Sequence, residues 1–179
     1  MTVIRFGTVA LLAMPFAAGA AQTPVADPAD VASPEAIVAA TYAAIGRAPG
    51  ERYDWHRFRS LFLPTAHLIP NTEQTGGEER VLTVDGFIAW IEGVTTIGGP
   101  SDQGFQEEGI ALAIDRYGDI AQAFSTYRKH FWEQEQTLGL GINSFQLVRR
   151  SGRWWIAGIV WDEEASGEAI PERYLPDGG

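Results

Sequence analysis

Cysteine is absent from all 179 residues, so the chain has no disulfide, no thiol nucleophile, no thiolate metal ligand and no lipidated N-terminal cysteine. Basic residues are scarce. Lys and Arg number 13 against 23 Asp and Glu, a balance that repels phosphate backbones and argues against nucleic acid as a partner. Histidine occurs at positions 56, 67 and 130 only, without H-x-x-x-H or H-E-x-x-H spacing, and ligands that do not converge make no metal site. Ser125 and Ser144 sit in no G-x-S-x-G elbow, and "GGPSDQG" lacks the Lys-Ser/Thr that follows in a phosphate loop. No metal and no cofactor are expected.

A long apolar run occurs only at the start. "MTVIRFGTVALLAMPFAAGAAQ" has a charge at Arg5, an uncharged apolar stretch from Phe6 to Ala18 and the small residues Ala18-Gly19-Ala20. This is the pattern of a secretory signal peptide over residues 1–20, and the stretch falls short of the ~20 apolar residues a spanning helix needs. The expectation is an exported protein, periplasmic or secreted, with no stable membrane insertion. Cleavage takes Arg5 with it and leaves 12 basic against 23 acidic residues. About 159 residues remain, enough for one domain to bury its own core without disulfides.

Residues 21–32, "AQTPVADPADVA", are rich in Ala, Pro and Asp and read as a flexible leader. In "SPEAIVAATYAAIG" Ser33 can cap, Pro34 suits the first helical position and Gly46 the stop, with Ile37, Val38, Thr41, Ala44 and Ile45 as the inner stripe. A second helix, capped by Asp54, carries Trp55, Phe58, Leu61 and Phe62 and is stopped by Pro64. "AHLIP" is short and extended. A third helix, capped by Thr83, carries Phe87, Trp90, Ile91 and Val94 and ends at Gly98-Gly99-Pro100. Four β-rich segments follow, "FQEEGIALAI", "DIAQAFSTYRKHFW", "LGINSFQLVRR" and "RWWIAGIVWDE". Residues 165–179 read as an irregular tail.

Helices followed by an antiparallel meander give an α+β class, with the helices on one face of a curved sheet. "GRWWIAGIVWDEE" puts Trp154, Trp155 and Trp161 on one strand, so both of its faces are apolar. A two-residue Ser151-Gly152 turn would pair Arg149 with Trp154, Leu147 with Ile156, Phe145 with Gly158 and Asn143 with Val160. One face then holds Asn143, Phe145, Leu147, Trp154, Ile156, Val160 and Asp162 and is expected to meet the helices. The other holds Ile142, Ser144, Gln146, Val148, Trp155, Ala157, Ile159 and Trp161. Trp155, Ile159 and Trp161 on that outer face form a patch suited to a homodimer contact.

The helix at 33–46, "DWHRFRSLF" before a proline, and "FQLVRRSGRWWI" with its hairpin resemble the nuclear transport factor 2-like superfamily, more closely its SnoaL-like and uncharacterised exported bacterial members. The resemblance covers about residues 33–164. It implies a cone-shaped roll, three N-terminal helices packed on a curved antiparallel sheet enclosing a pocket, and often a homodimer. It also implies that a pocket Asp, His or Tyr serves as acid or base in the catalytic members. Fold alone does not choose among isomerases, dehydratases and binding domains.

The pocket is expected among Trp55, Phe58, Phe87, Trp90, Asn143, Phe145, Leu147, Trp154, Ile156 and Val160. Candidate acid or base groups are Asp162, Tyr127 and His67. His130 reads as a solvated strand residue, and Glu107-Glu108 does not read as a carboxylate pair because adjacent strand residues diverge. Three functions fit these residues. The first is binding of a small apolar organic molecule, the second an isomerase or dehydratase using a pocket carboxylate with Tyr or His, and the third a ligand-free dimeric interaction module. An Asp or His within hydrogen-bond reach of a Tyr in a cavity separates the second from the others.

Overall fold

The computed structural model describes residues 23–97, 103–164 and 168–176. The signal segment 1–20, the helix stop at Gly98-Gly99-Pro100 and the side chain of Val94 lie outside what is described. The elements are α1 (Pro34–Ile45), α2 (Trp55–Ser60), β1 (Phe62–Pro70), α3 (Val84–Ile97), β2 (Gln106–Tyr117), β3 (Ile120–His130), β4 (Thr137–Arg150) and β5 (Arg153–Glu163). The three helices pack against one five-stranded sheet of order β1-β5-β4-β3-β2, an α+β arrangement.

The caps form where the sequence places them. Ser33 Oγ accepts from Ala36 N at 3.1 Å, Asp54 Oδ1 from Arg57 N at 2.9 Å and Thr83 Oγ1 from Gly86 N at 3.1 Å. Each satisfies a first-turn amide that the helix itself leaves open. The second helix is shorter than its apolar spacing suggests. Arg153 Nη2 donates to Ser60 O at 2.6 Å and Ile156 N to Leu61 O at 3.0 Å, so β5 captures the chain before a further turn can form. Leu61 and Phe62 are still buried, but Phe62 opens β1, which runs parallel to β5. The sheet therefore has five strands and is mixed, where the sequence suggested four antiparallel ones. Pro64 is accommodated because β1 is an edge strand with a register break between Phe62 and His67.

The leader is also more ordered than its composition suggests. Residues Pro28–Val31 form a 3-10 turn capped by Asp27, and Ala26 and Val31 are buried. Asp30 receives the Arg57 guanidinium through two bonds of 2.7 and 2.8 Å, which hold its carboxyl below the usual range. The C-terminal segment crosses the outer face of β3, where Tyr174 stacks on Phe124 at 5.4 Å.

The β4–β5 hairpin follows the expected register only in part. Ser151 (φ 52°) and Gly152 (φ 81°) make the two-residue turn, and the pairs Arg149 with Trp154 and Leu147 with Ile156 form. Between Gln146 and Leu147 the register shifts, because β5 carries one extra residue at Ala157. A bulge reverses the alternation beyond it. Phe145 then faces Ile159 instead of Gly158, and Asn143 faces Trp161 instead of Val160.

The faces assigned to four residues are corrected accordingly. Val160 is 50% exposed and Asp162 is exposed, both on the outside, while Ile159 is buried and Trp161 points inward. Only Trp155 of the proposed dimer patch stays outside. It is covered within its own chain by the Arg153 guanidinium, 3.6 Å from its ring centre. Gly158 marks a close approach of two backbones, those of β1 and β5. It lies opposite His67, where an added Cβ would stand 3.2 Å from the His67 carbonyl oxygen.

Candidate functional site

Between α1, α3 and the inner face of the sheet lies a cavity of about 450 Å³, within the range of small-molecule sites. Its walls are aromatic. Phe58 stacks on Phe87 at 5.4 Å, Trp55 meets Phe58 edge-on at 5.6 Å, and Trp161 meets Phe87 at 5.9 Å and Trp90 at 6.4 Å. The amphipathic spacing of α2 and α3 delivers Trp55, Phe58, Phe87 and Trp90. The bulge in β5 delivers Trp161, whose Nε1 donates to Gln74 Oε1 at 2.5 Å.

Polar side chains from α1 and four strands also line this cavity. Strand alternation separates Glu107 from Glu108. Glu108 turns outward to the Arg128 guanidinium (Nε to Oε1, 3.0 Å), whereas Glu107 turns inward into the cavity wall. There Asn143 Nδ2 donates to Glu107 Oε1 at 3.1 Å and also lies 3.2 Å from Tyr42 Oη, which it donates to. Tyr42 in turn donates to Ser125 Oγ at 2.7 Å. Beside this group Tyr127 Oη donates to Glu163 Oε1 at 2.9 Å, and the same oxygen receives the Lys129 ammonium.

Burial dominates the electrostatics. It pushes the Glu107 carboxyl up to about 7, helped by the Glu163 charge and opposed by the Asn143 hydrogen bond and the Lys129 charge. Burial also raises Tyr42 and Tyr127, with the Glu107 charge acting in the same direction on both, so both phenols stay protonated. At neutral pH Glu107 is thus poised to take or give a proton.

Glycines make room for this row. A Cβ at Gly141 would stand 2.5 Å from Tyr127 Oη, and one at Gly109 would stand 2.9 Å from the Tyr42 ring. Tyr42 and Tyr127 can lie across the sheet only because β2 and β4 are bare at those points.

Of the expected pocket residues, Trp55, Phe58, Phe87, Trp90, Asn143 and Phe145 line the cavity. Leu147, Trp154 and Ile156 are buried in the adjoining core, and Val160 is outside. Of the candidate acids and bases, Tyr127 lines the cavity. His67 is exposed on β1, and Asp162 is exposed and bonded to the Asn71 amide and to Glu163 N. His130 is buried, not solvated, with Nδ1 2.9 Å from Phe131 O and Nε2 4.0 Å from Glu108. Glu107 enters the sequence reading only as half of a discounted pair with Glu108, and Glu163, Lys129 and Tyr42 are not among its candidates. The signal for them was the alternation of glycine in "LGLGI" opposite a strand carrying long polar side chains. Among the described residues no three His, Asp or Glu converge as a metal group would.

Linkage makes the Glu107 carboxyl visible in stability. Its ordinary value is 4.5, and a carboxyl raised in the folded state contributes fully below that pH and loses its contribution as pH rises to about 7. The loss amounts to about 3 kcal/mol. Relative to Glu107→Gln, the wild type should therefore lose stability between these two pH values in denaturant melts. Parallel pH dependences of the two proteins would show that Glu107 is not raised.

No family model matches the chain, and no curated protein matches it. Solved structures do match. A protein of unknown function with a cystatin-like fold from Nostoc punctiforme PCC 73102 is 11% identical, covers 73% of this chain and 87% of its own, and superposes with a TM-score of 0.57. A hexachlorocyclohexane dehydrochlorinase of type 2 is 12% identical over 71% of this chain and 80% of its own, with a TM-score of 0.51. An NTF-2 like protein of unknown function from Silicibacter pomeroyi DSS-3 is 20% identical over 72% of this chain and 91% of its own, with a TM-score of 0.45. The fold is a cystatin-like α+β fold.

Proposed function

We propose that the cavity takes a small, flat, largely apolar organic molecule and that Glu107 exchanges a proton with one of its carbons, as in an isomerase or a dehydratase-type lyase. The observation that carries this reading is the Glu107 carboxyl, set in the wall of an aromatic chamber with an amide hydrogen bond from Asn143. A carboxylate stripped of water is a stronger base than one in solution, and a carboxyl near pH 7 can also return the proton. In the forward step Glu107 takes a proton from a C–H bond. The electron pair left behind moves toward an adjacent carbonyl, or expels a leaving group from the neighbouring carbon. Return of the proton to a different carbon completes an isomerisation, and loss of the leaving group completes an elimination. That a dehydrochlorinase shares the fold is consistent with this chemistry.

The charge of the lining selects against acids. Glu107 and Glu163 face the cavity, and the Lys129 ammonium is already paired with Glu163. An uncharged substrate fits these groups best. Binding alone, without chemistry, would need no titratable group at the cavity wall, and this disfavours the purely binding reading.

Nitrobenzisoxazole is a suitable probe, because its ring opens when a base removes one carbon-bound proton and the phenolate product is coloured. Purified protein should open it with saturation and with a rate that rises with pH about a midpoint near 7. A rate equal to that of acetate in free solution would overturn the reading. Export belongs to the same proposal. N-terminal sequencing of periplasmic or secreted protein should begin near Ala21, and recovery of Met1 or Thr2 would contradict it.

A further inference from the structure

We propose that Glu163 is a positioning residue that draws the Lys129 ammonium across β4, away from Glu107, and so keeps the Glu107 carboxyl free of an ion pair. This rests on the reading of Glu107 as the proton-transfer group. Glu107 and Lys129 are directly opposed partners on β2 and β3. Opposite charges in such a position on one face ordinarily meet. Here they do not, since no ion pair to Glu107 occurs among the described residues and the Lys129 Nζ pairs with Glu163.

The direction of Lys129 is fixed by Gly139, its partner on β4. A Cβ at Gly139 would stand 2.6 Å from Lys129 Cε and 3.5 Å from Nζ, so the lysine stem lies over the bare glycine on its way to β5. Tyr127 donates to the same Glu163 oxygen and holds that carboxylate in place.

The groups that face Glu107 are Lys129 and Tyr127 from β3, Asn143 from β4, Glu163 from β5 and Tyr42 from α1. Arg47 and Glu51, together with Glu35 from α1, line the groove between α1 and β2 that also reaches Glu107. Lys129 is the one whose side chain has two alternative carboxylates within its strand neighbourhood. Without Glu163 the ammonium would swing to Glu107, and a base locked in an ion pair is weak and titrates low.

The test is the titration of Glu107 in three variants, read by NMR of labelled glutamate carboxyls and by the pH profile of nitrobenzisoxazole opening. Glu163→Gln should lower the midpoint by about 1–3 pH units and lower the limiting rate at high pH. Gly139→Ala, which displaces only the far end of Lys129, should shift it in the same direction. Adding Lys129→Met to Glu163→Gln should bring the midpoint back to about 7, because burial of Glu107 persists without either neighbour. A midpoint that stays put or rises in Glu163→Gln, or one that falls equally in the double variant, overturns the proposal. A wild-type midpoint near 4.5 would instead overturn the proton-transfer reading itself, so the two failures are distinct.

Discussion

Glu107→Gln should lower the rate of nitrobenzisoxazole opening by about a hundred- to ten-thousand-fold, the usual contribution of a positioned general base. Glutamine keeps the shape and can still accept the Asn143 hydrogen bond, so the aromatic walls should hold the probe as before. The expected result is therefore a large fall in kcat with little change in KM. The variant should also be more stable than the wild type above pH 7, since an isolated buried carboxylate has been removed. A fall in KM-dependent binding with kcat unchanged would mean that Glu107 only shapes the cavity.

Trp154→Ala should destabilise the protein by about 3 to 5 kcal/mol as a large core truncation. The indole is 1% exposed, packs beside Ile156 and Leu147, and has the Arg116 guanidinium 5.0 Å from its ring centre. Trp155→Ala, one residue away on the outer face, should cost about 1 kcal/mol, chiefly the stacked Arg153 guanidinium. Denaturant melts of both variants compare the two faces of β5 directly. Equal losses would contradict the assignment of Trp154 to the inside.

Trp154 and Trp161 show how far the sequence carries. The Ser151-Gly152 turn sets the hairpin register, and strand alternation then places Trp154 inside without further information. That alternation holds until Ala157 and then inverts, because one unpaired residue moves every later side chain to the opposite face. Nothing in "IAGIVW" marks the bulge apart from the small residues Ala157 and Gly158, and the reason for it is tertiary. There β1 approaches so closely that Gly158 sits against the His67 backbone. The bonds from β5 to Ser60 and Leu61 likewise shorten α2 and let β1 join the sheet as its fifth strand.

The chemistry of the site was hidden for a related reason. Glu107 and Glu108 are indistinguishable as residues, and both look like solvated charges on a strand. The α1 helix, through Tyr42, and the glycines at 109 and 141 decide that one of them is walled into the cavity. Glu163 likewise belongs to a run, "WDEE", that reads as a strand leaving the protein, yet the bulge turns it inward beside Tyr127. The aromatic walls were legible because helical periodicity survives packing. The acid within them was not, because its environment is assembled from five elements distant in sequence.

The most direct measurement is the titration of the Glu107 carboxyl in the intact wild-type protein, followed by NMR of labelled glutamate side chains and assigned with Glu107→Gln. A midpoint near 7 is expected for a carboxyl desolvated by the cavity wall and left without an ion pair. A midpoint near the ordinary 4.5 would mean that water or a cation reaches it freely, and would contradict its role as the proton-transfer group.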